Sequence, residues 1–78
     1  MFTVYSKTDC KYCETIEQVF KLKEIPYTKY LLDQDYTREE FVAEFGEGST
    51  FPRVIDQSGK LIGGASETVA VLKETGVL

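Results

Sequence analysis

The chain has no histidine and only two cysteines, two prolines and one methionine. Without histidine there is no imidazole to activate a nucleophile, and the usual mixed Cys/His metal sites are excluded. Two cysteines supply half of a closed zinc site, which takes about four ligands, so no metal is expected. No run of about 18 apolar residues occurs, and the first residues lack the basic-then-apolar order of a secretory leader. The expectation is a cytoplasmic protein with no membrane partner. In that compartment thiols are kept reduced, so the cysteine pair is not a permanent cross-link. Excess positive charge is missing too. Nine Lys and Arg against thirteen Asp and Glu leave a net charge of −4, which argues against nucleic acid as a partner.

What is present reads as one globular domain over residues 1–78, with 42% hydrophobic and 28% charged residues. A chain this short buries only about 60% of its unfolded surface. Its five Phe and five Tyr residues therefore help to fill a small core.

Phe2 to Ser6 alternates and is β-prone, which predicts a strand central to a sheet. Lys7-Thr8-Asp9 connects it to a helix, with Thr8 or Asp9 as candidate N-caps. That helix is expected from Lys11 or Tyr12 to Lys23, with Cys13, Ile16, Val19 and Phe20 inward and Glu14, Glu17, Gln18 and Lys21 largely outside. Pro26 leads into a second strand, Tyr27 to Leu32, followed by a polar loop from Asp33 to Tyr36. Thr37-Arg38-Glu39-Glu40 matches a capping box and starts a helix that buries Phe41, Val42 and Phe45 before Gly46. Two short strands, Arg53–Asp56 and Lys60–Gly63, form a hairpin about Gln57-Ser58-Gly59. Ser66 is the expected N-cap of a last helix with Val69 and Leu72 inward and Gly76 at its end. The order is β-α-β-α-β-β-α, an α/β chain.

The chemistry concentrates at Cys10-Lys11-Tyr12-Cys13, where a strand hands over to a helix. A C-x-x-C there is a cue for dithiol redox chemistry. The first N–H groups of a helix have no partners and carry partial positive charge, which stabilises a thiolate. Cys13 follows almost one turn later on the inward face, so Cys10, expected at the exposed tip, is favoured as the attacking thiol.

Together with Thr50-Phe51-Pro52 and Gly63-Gly64-Ala65-Ser66-Glu67, this pattern resembles a glutaredoxin along essentially the whole chain. The resemblance implies a thioredoxin-like fold, a four-stranded mixed sheet flanked by three helices. It implies catalysis by Cys10 and Cys13 and a cis Pro52 facing them. It also implies glutathione as reductant, bound through the backbone of Phe51, the close approach allowed at Gly63-Gly64, and the Ser66 and Glu67 N–H groups. By the same resemblance the Glu67 carboxylate meets the glutathione ammonium, Lys7 and Arg38 contact its other carboxylate, and Tyr12 flanks the sulfur. Two residues depart from the common pattern. Lys11 stands where most dithiol relatives carry proline, restoring an N–H and adding a cation that favours the Cys10 thiolate, whereas Asp9 opposes it. Phe51 replaces the common valine.

The activity this implies is glutathione-dependent reduction of protein disulfides and glutathione mixed disulfides by a monomer. Ribonucleotide reductase is a family expectation among the disulfide-bearing clients. Three alternatives stand beside it. One is a redoxin fed by thioredoxin reductase. Another is an iron–sulfur carrier bridged by Cys10 and glutathione, as in some relatives lacking the proline. The third is a dithiol binding module without turnover.

Overall fold

The first strand, β1 (Phe2–Ser6), sorts its side chains to two sides of the sheet, as an extended chain must. Val4 and Ser6 are buried on one side, and Phe2 meets the Phe20 ring there with centroids 5.2 Å apart. Tyr5 points to the other side, toward Tyr36 and Phe45. The structure, a computed structural model, describes residues 1–76.

β1 lies inside a four-stranded sheet of order β2-β1-β3-β4, with β2 (Tyr27–Leu31), β3 (Arg53–Ile55) and β4 (Leu61–Gly63). It runs parallel to β2, Phe2 opposite Tyr27, and antiparallel to β3, Val4 opposite Val54. β3 and β4 close the expected hairpin, with a register shift between Val54 and Ile55. The mixed sheet and its three helices have the thioredoxin-like architecture that the sequence implied.

Helix α1 (Lys11–Leu22) buries Cys13, Ile16, Glu17 and Phe20, the i, i+3, i+4, i+7 stripe of a helix packed on a sheet. Val4, Ile16, Phe20, Val54 and Leu72 form the core between the sheet, α1 and α3 (Ala65–Glu74). Glu17 departs from the outward position expected of it. It is only 7% exposed, because Ser6 Oγ donates to its Oε2 at 3.2 Å and Lys29 Nζ stands 3.2 Å from Oε1. A carboxylate can enter a core when both its oxygens find partners.

Helix α2 (Arg38–Phe45) starts on the predicted capping box: Thr37 Oγ1 accepts the Glu40 N–H and Glu40 Oε1 accepts the Thr37 N–H. Of its expected inward residues Phe41 is buried, while Val42 and Phe45 are half-buried. The segment before it is less of a loop than its polarity suggested. Tyr36 is buried, donates its hydroxyl to the Ser6 carbonyl at 2.7 Å, and bridges to Leu32. Helix α3 begins two residues earlier than expected, with Gly64 rather than Ser66 as N-cap. Its Leu72 and Thr68 are buried, and Gly76 follows its end in a left-handed conformation.

Candidate active site

Asp9 adopts a left-handed φ of 54°, and from there Cys10 opens α1 in an extended conformation. Cys10 itself is the N-cap, in place of Thr8 or Asp9. Its sulfur accepts the Cys13 N–H at 3.2 Å, so one of the unpaired donors of the helix end points at the Cys10 sulfur. The two sulfurs are bonded to each other, with Cα atoms 5.2 Å apart, so the structure shows the oxidised pair. In this form Cys10 is not the exposed tip expected from sequence. It is 7% exposed against 1% for Cys13, since its sulfur turns inward to the helix end, and Tyr12 is what projects.

Beside the pair lies a groove of about 530 Å³ lined by Tyr12, Thr50, Phe51, Gly64, Ser66 and Glu67. Phe51 is joined to Pro52 by a cis bond, and Pro52 is buried. Phe51 stacks on Phe41 with ring centres 4.3 Å apart and planes 15° from parallel. Lys7 Nζ lies 5.5 Å from the Phe51 ring centre, which places it at the rim. The aromatic residue at position 51 thus anchors the groove to α2 and gives Lys7 a surface to rest on, beyond a change of packing. Arg38, the first residue of α2, is exposed and is not among the lining residues. The fold therefore gathers Tyr12, Phe51, Gly64, Ser66 and Glu67 around one groove, sets Lys7 at its edge, and leaves Arg38 apart.

Arg53 is the residue sequence reasoning passed over. Its Nε donates to the Thr50 carbonyl at 2.8 Å and its Nη2 to Thr50 Oγ1 at 3.1 Å. Those bonds clamp the turn before Pro52, and they bring a cation toward Gly64 and Glu67. A cation three residues after Thr50, just past the proline, was the available signal.

At the start of α3 the Gly64 N–H donates to Glu67 Oε1 at 2.6 Å, and Ser66 Oγ donates to Oε2 at 3.2 Å. These bonds, the Gly64 N–H foremost, hold the Glu67 carboxyl below the usual carboxylate range, with help from Arg53. Gly63, at φ 130°, and Gly64 lie close against Glu67: a Cβ at either would stand 3.0–3.1 Å from its side chain, which would have to give by a few tenths of an ångström. A folded-state pKa below the unfolded one means that ionised Glu67 stabilises the fold above its unfolded pKa, and that this is lost as pH falls through the depressed folded value. Glu67→Gln should therefore be less stable than the parent in urea at pH 7. The two should converge in acid below the folded pKa, and a gap that persists there would assign the loss to packing instead.

Among the described residues no cluster of three or more His, Cys, Asp or Glu side chains is placed to hold a metal. A glutaredoxin family model matches residues 2–62. The buckwheat glutaredoxin–glutathione complex superposes with a TM-score of 0.78 at 26% identity, covering 97% of this chain and 71% of that one. Glutaredoxin 1 from Francisella tularensis, complexed with cacodylate, gives 0.79 at 23% identity over 95% of this chain and 93% of its own. Reduced Escherichia coli glutaredoxin gives 0.70 at 17% over 99% and 98%, a likeness of fold. No curated protein sequence matches the chain.

Proposed function

From the glutaredoxin family, to which this chain belongs, and from its place there as a thiol–disulfide oxidoreductase, we propose that its electrons come from glutathione, with Cys10 attacking and Cys13 resolving. The observation that carries this is the groove beside the dithiol, where Tyr12, Phe51, Gly64, Ser66 and Glu67 converge on the start of α3. Such a site suits a peptide bearing a carboxylate: the backbone at Phe51 pairs with the peptide, and a helix N-terminus receives the anion. Glu67 is held ionised and suits the glutathione ammonium, Lys7 its second carboxylate. Arg38 can join only through a ligand that extends to the first turn of α2.

Cys10 thiolate attacks one sulfur of a client disulfide, forming a mixed disulfide and releasing the other client sulfur as a thiolate. Cys13, deprotonated, attacks the Cys10 sulfur, which frees the reduced client and forms the Cys10–Cys13 bond. One glutathione thiolate then attacks Cys10 and releases Cys13. A second attacks the glutathione sulfur, leaving glutathione disulfide and the Cys10 thiolate. A glutathionylated client needs Cys10 alone, because its glutathione passes directly to that sulfur. We place the reaction in the cytoplasm, where the reductant is maintained. A cluster bridged between two subunits would be held by Cys10 and glutathione from each, and no step of this reaction passes through it.

Steady-state reduction of a small glutathione mixed disulfide, coupled to glutathione and glutathione reductase, tests the electron source. Parallel reactions replace that couple with thioredoxin reductase. Turnover with glutathione alone is expected; turnover only with thioredoxin reductase would overturn the proposal and leave Lys7, Ser66 and Glu67 without a ligand.

A further inference from the structure

On the α2 side of the sheet, away from the dithiol groove, a second groove of about 430 Å³ runs between β1, β2 and α2. Its walls are aromatic. The Tyr5 ring stands at the centre, 5.4 Å from Tyr30, 5.1 Å from Tyr36 and 5.1 Å from Phe45. Tyr30 is 39% exposed, so the wall is open to an incoming group. The rim carries Asp35, Glu40 and Glu44 and no lysine or arginine.

The three carboxylates differ. Asp35 Oδ2 accepts the Leu31 N–H and Glu40 Oε1 accepts the Thr37 N–H, so both have work inside the fold. Glu44 has no such bond among the described residues. It also sits in the last turn of α2, which holds no basic residue, where the negative end of the helix dipole disfavours an anion. Burial, and then the charge of Glu44, raises the Tyr5 hydroxyl above its ordinary pKa, while burial pushes Tyr36 up to about 12. Those two phenols thus stay neutral, and the negative charge comes from the rim carboxylates.

An aromatic wall under a carboxylate rim is complementary to an organic cation, which gains from the ring faces and from the charges together. The groove also connects to the active site. Phe41 lies 5.9 Å from Tyr36 on one side and 4.3 Å from Phe51, in the dithiol groove, on the other. The Tyr36 and Phe51 rings are therefore at most about 10 Å apart in a straight line, the rise of about three residues of extended peptide.

We propose that this groove docks a basic segment of the disulfide-bearing client, with a lysine or arginine against Tyr5, Tyr30 and Phe45 and its charge paired with Glu44. The inference rests on the oxidoreductase reading and names a feature of the client: a cation a few residues from the reactive cysteine.

The test is an amide-resolved NMR titration with a Gly/Ser peptide that carries serine in place of the client cysteine and an arginine about four residues away. A matched peptide has glutamate in place of the arginine. The arginine peptide is expected to bind at least about fivefold more tightly and to shift Tyr30 and Glu44 amides. Glu44→Gln and Tyr30→Leu should each remove most of that preference, while Glu44→Gln leaves turnover of a small glutathione mixed disulfide unchanged. Equal binding of the two peptides, or a preference that survives both substitutions, would overturn the docking site. Tetramethylammonium binding as tightly as the arginine peptide would also overturn it, in favour of a small-molecule site. Because the peptide is redox-inert, the titration gives its answer even if glutathione proves not to be the reductant; the turnover assay alone decides that.

Discussion

Cys10→Ser should reduce turnover of every disulfide substrate to the uncatalysed rate, whereas Cys13→Ser should retain most of the activity toward glutathionylated substrates. The asymmetry follows from position. Cys10 caps α1, and its sulfur receives the Cys13 N–H at 3.2 Å, a donor directed at the charge that forms when the disulfide opens. Cys13 lies on the inward face at 1% exposure, within reach of Cys10 and of little else. On the proposed mechanism a substrate sulfur exchanges with Cys10, and Cys13 resolves what Cys10 has bound. Removing glutathione from a protein needs no resolution, since a second glutathione can complete it. Protein disulfides do need it, so Cys13→Ser should stall there as a mixed disulfide visible by mass spectrometry. Equal loss from both variants in a deglutathionylation assay would refute this division of roles.

Phe20→Ala should destabilise the fold by about 3–5 kcal/mol, the cost of emptying a large aromatic site in a core. Phe20 is fully buried and links both sides of its surroundings: its ring lies 5.2 Å from Phe2 on β1 and 5.3 Å from Tyr27 on β2. Domains of this size are stabilised by roughly 4–12 kcal/mol in total, so the variant loses a large share of its margin. Its midpoint of thermal unfolding should fall by roughly 12 °C or more. Leu22 is the control, two residues on in the same helix and 81% exposed. Leu22→Ala should stay within about 0.5 kcal/mol of the parent. Similar losses from the two would mean that helix α1 is not held by its buried stripe.

The elements were legible because their signals are local. Thr37 and Glu40 specify the start of α2 within four residues, while Pro26 marks a break by its fixed φ and Gly59 and Gly76 by the positive φ they can adopt. The residues that surprised are those whose state depends on distant partners. Glu17 reads as an outward acid until Ser6 and Lys29, from two different strands, supply its oxygens with partners. Ser66 is the better capping residue by type, yet Gly64 takes the position because Glu67 reaches back to its N–H. Arg53 acquires a role only through the turn at Thr50 that it clamps. Cys10 reads as a helix tip, yet its sulfur, bonded to Cys13 and accepting the Cys13 N–H, lies inward. Periodicity reports which face a side chain takes, but not which polar groups from other elements will meet it there.

The pairing of β1 with β3, Thr3 opposite Ile55, bears on how the protein comes into being. Synthesis proceeds from the N-terminal side, so the cysteine segment leaves the ribosome well before Phe51 and Gly64, which will wall its groove, emerge in turn. At about 5–20 residues per second that interval is on the order of 2–10 s. During it the sheet lacks an inner strand and cannot close around the thiols. The pair meets the oxidants and reductants of its compartment first as an open peptide, and only afterwards as a site that selects its reaction partners.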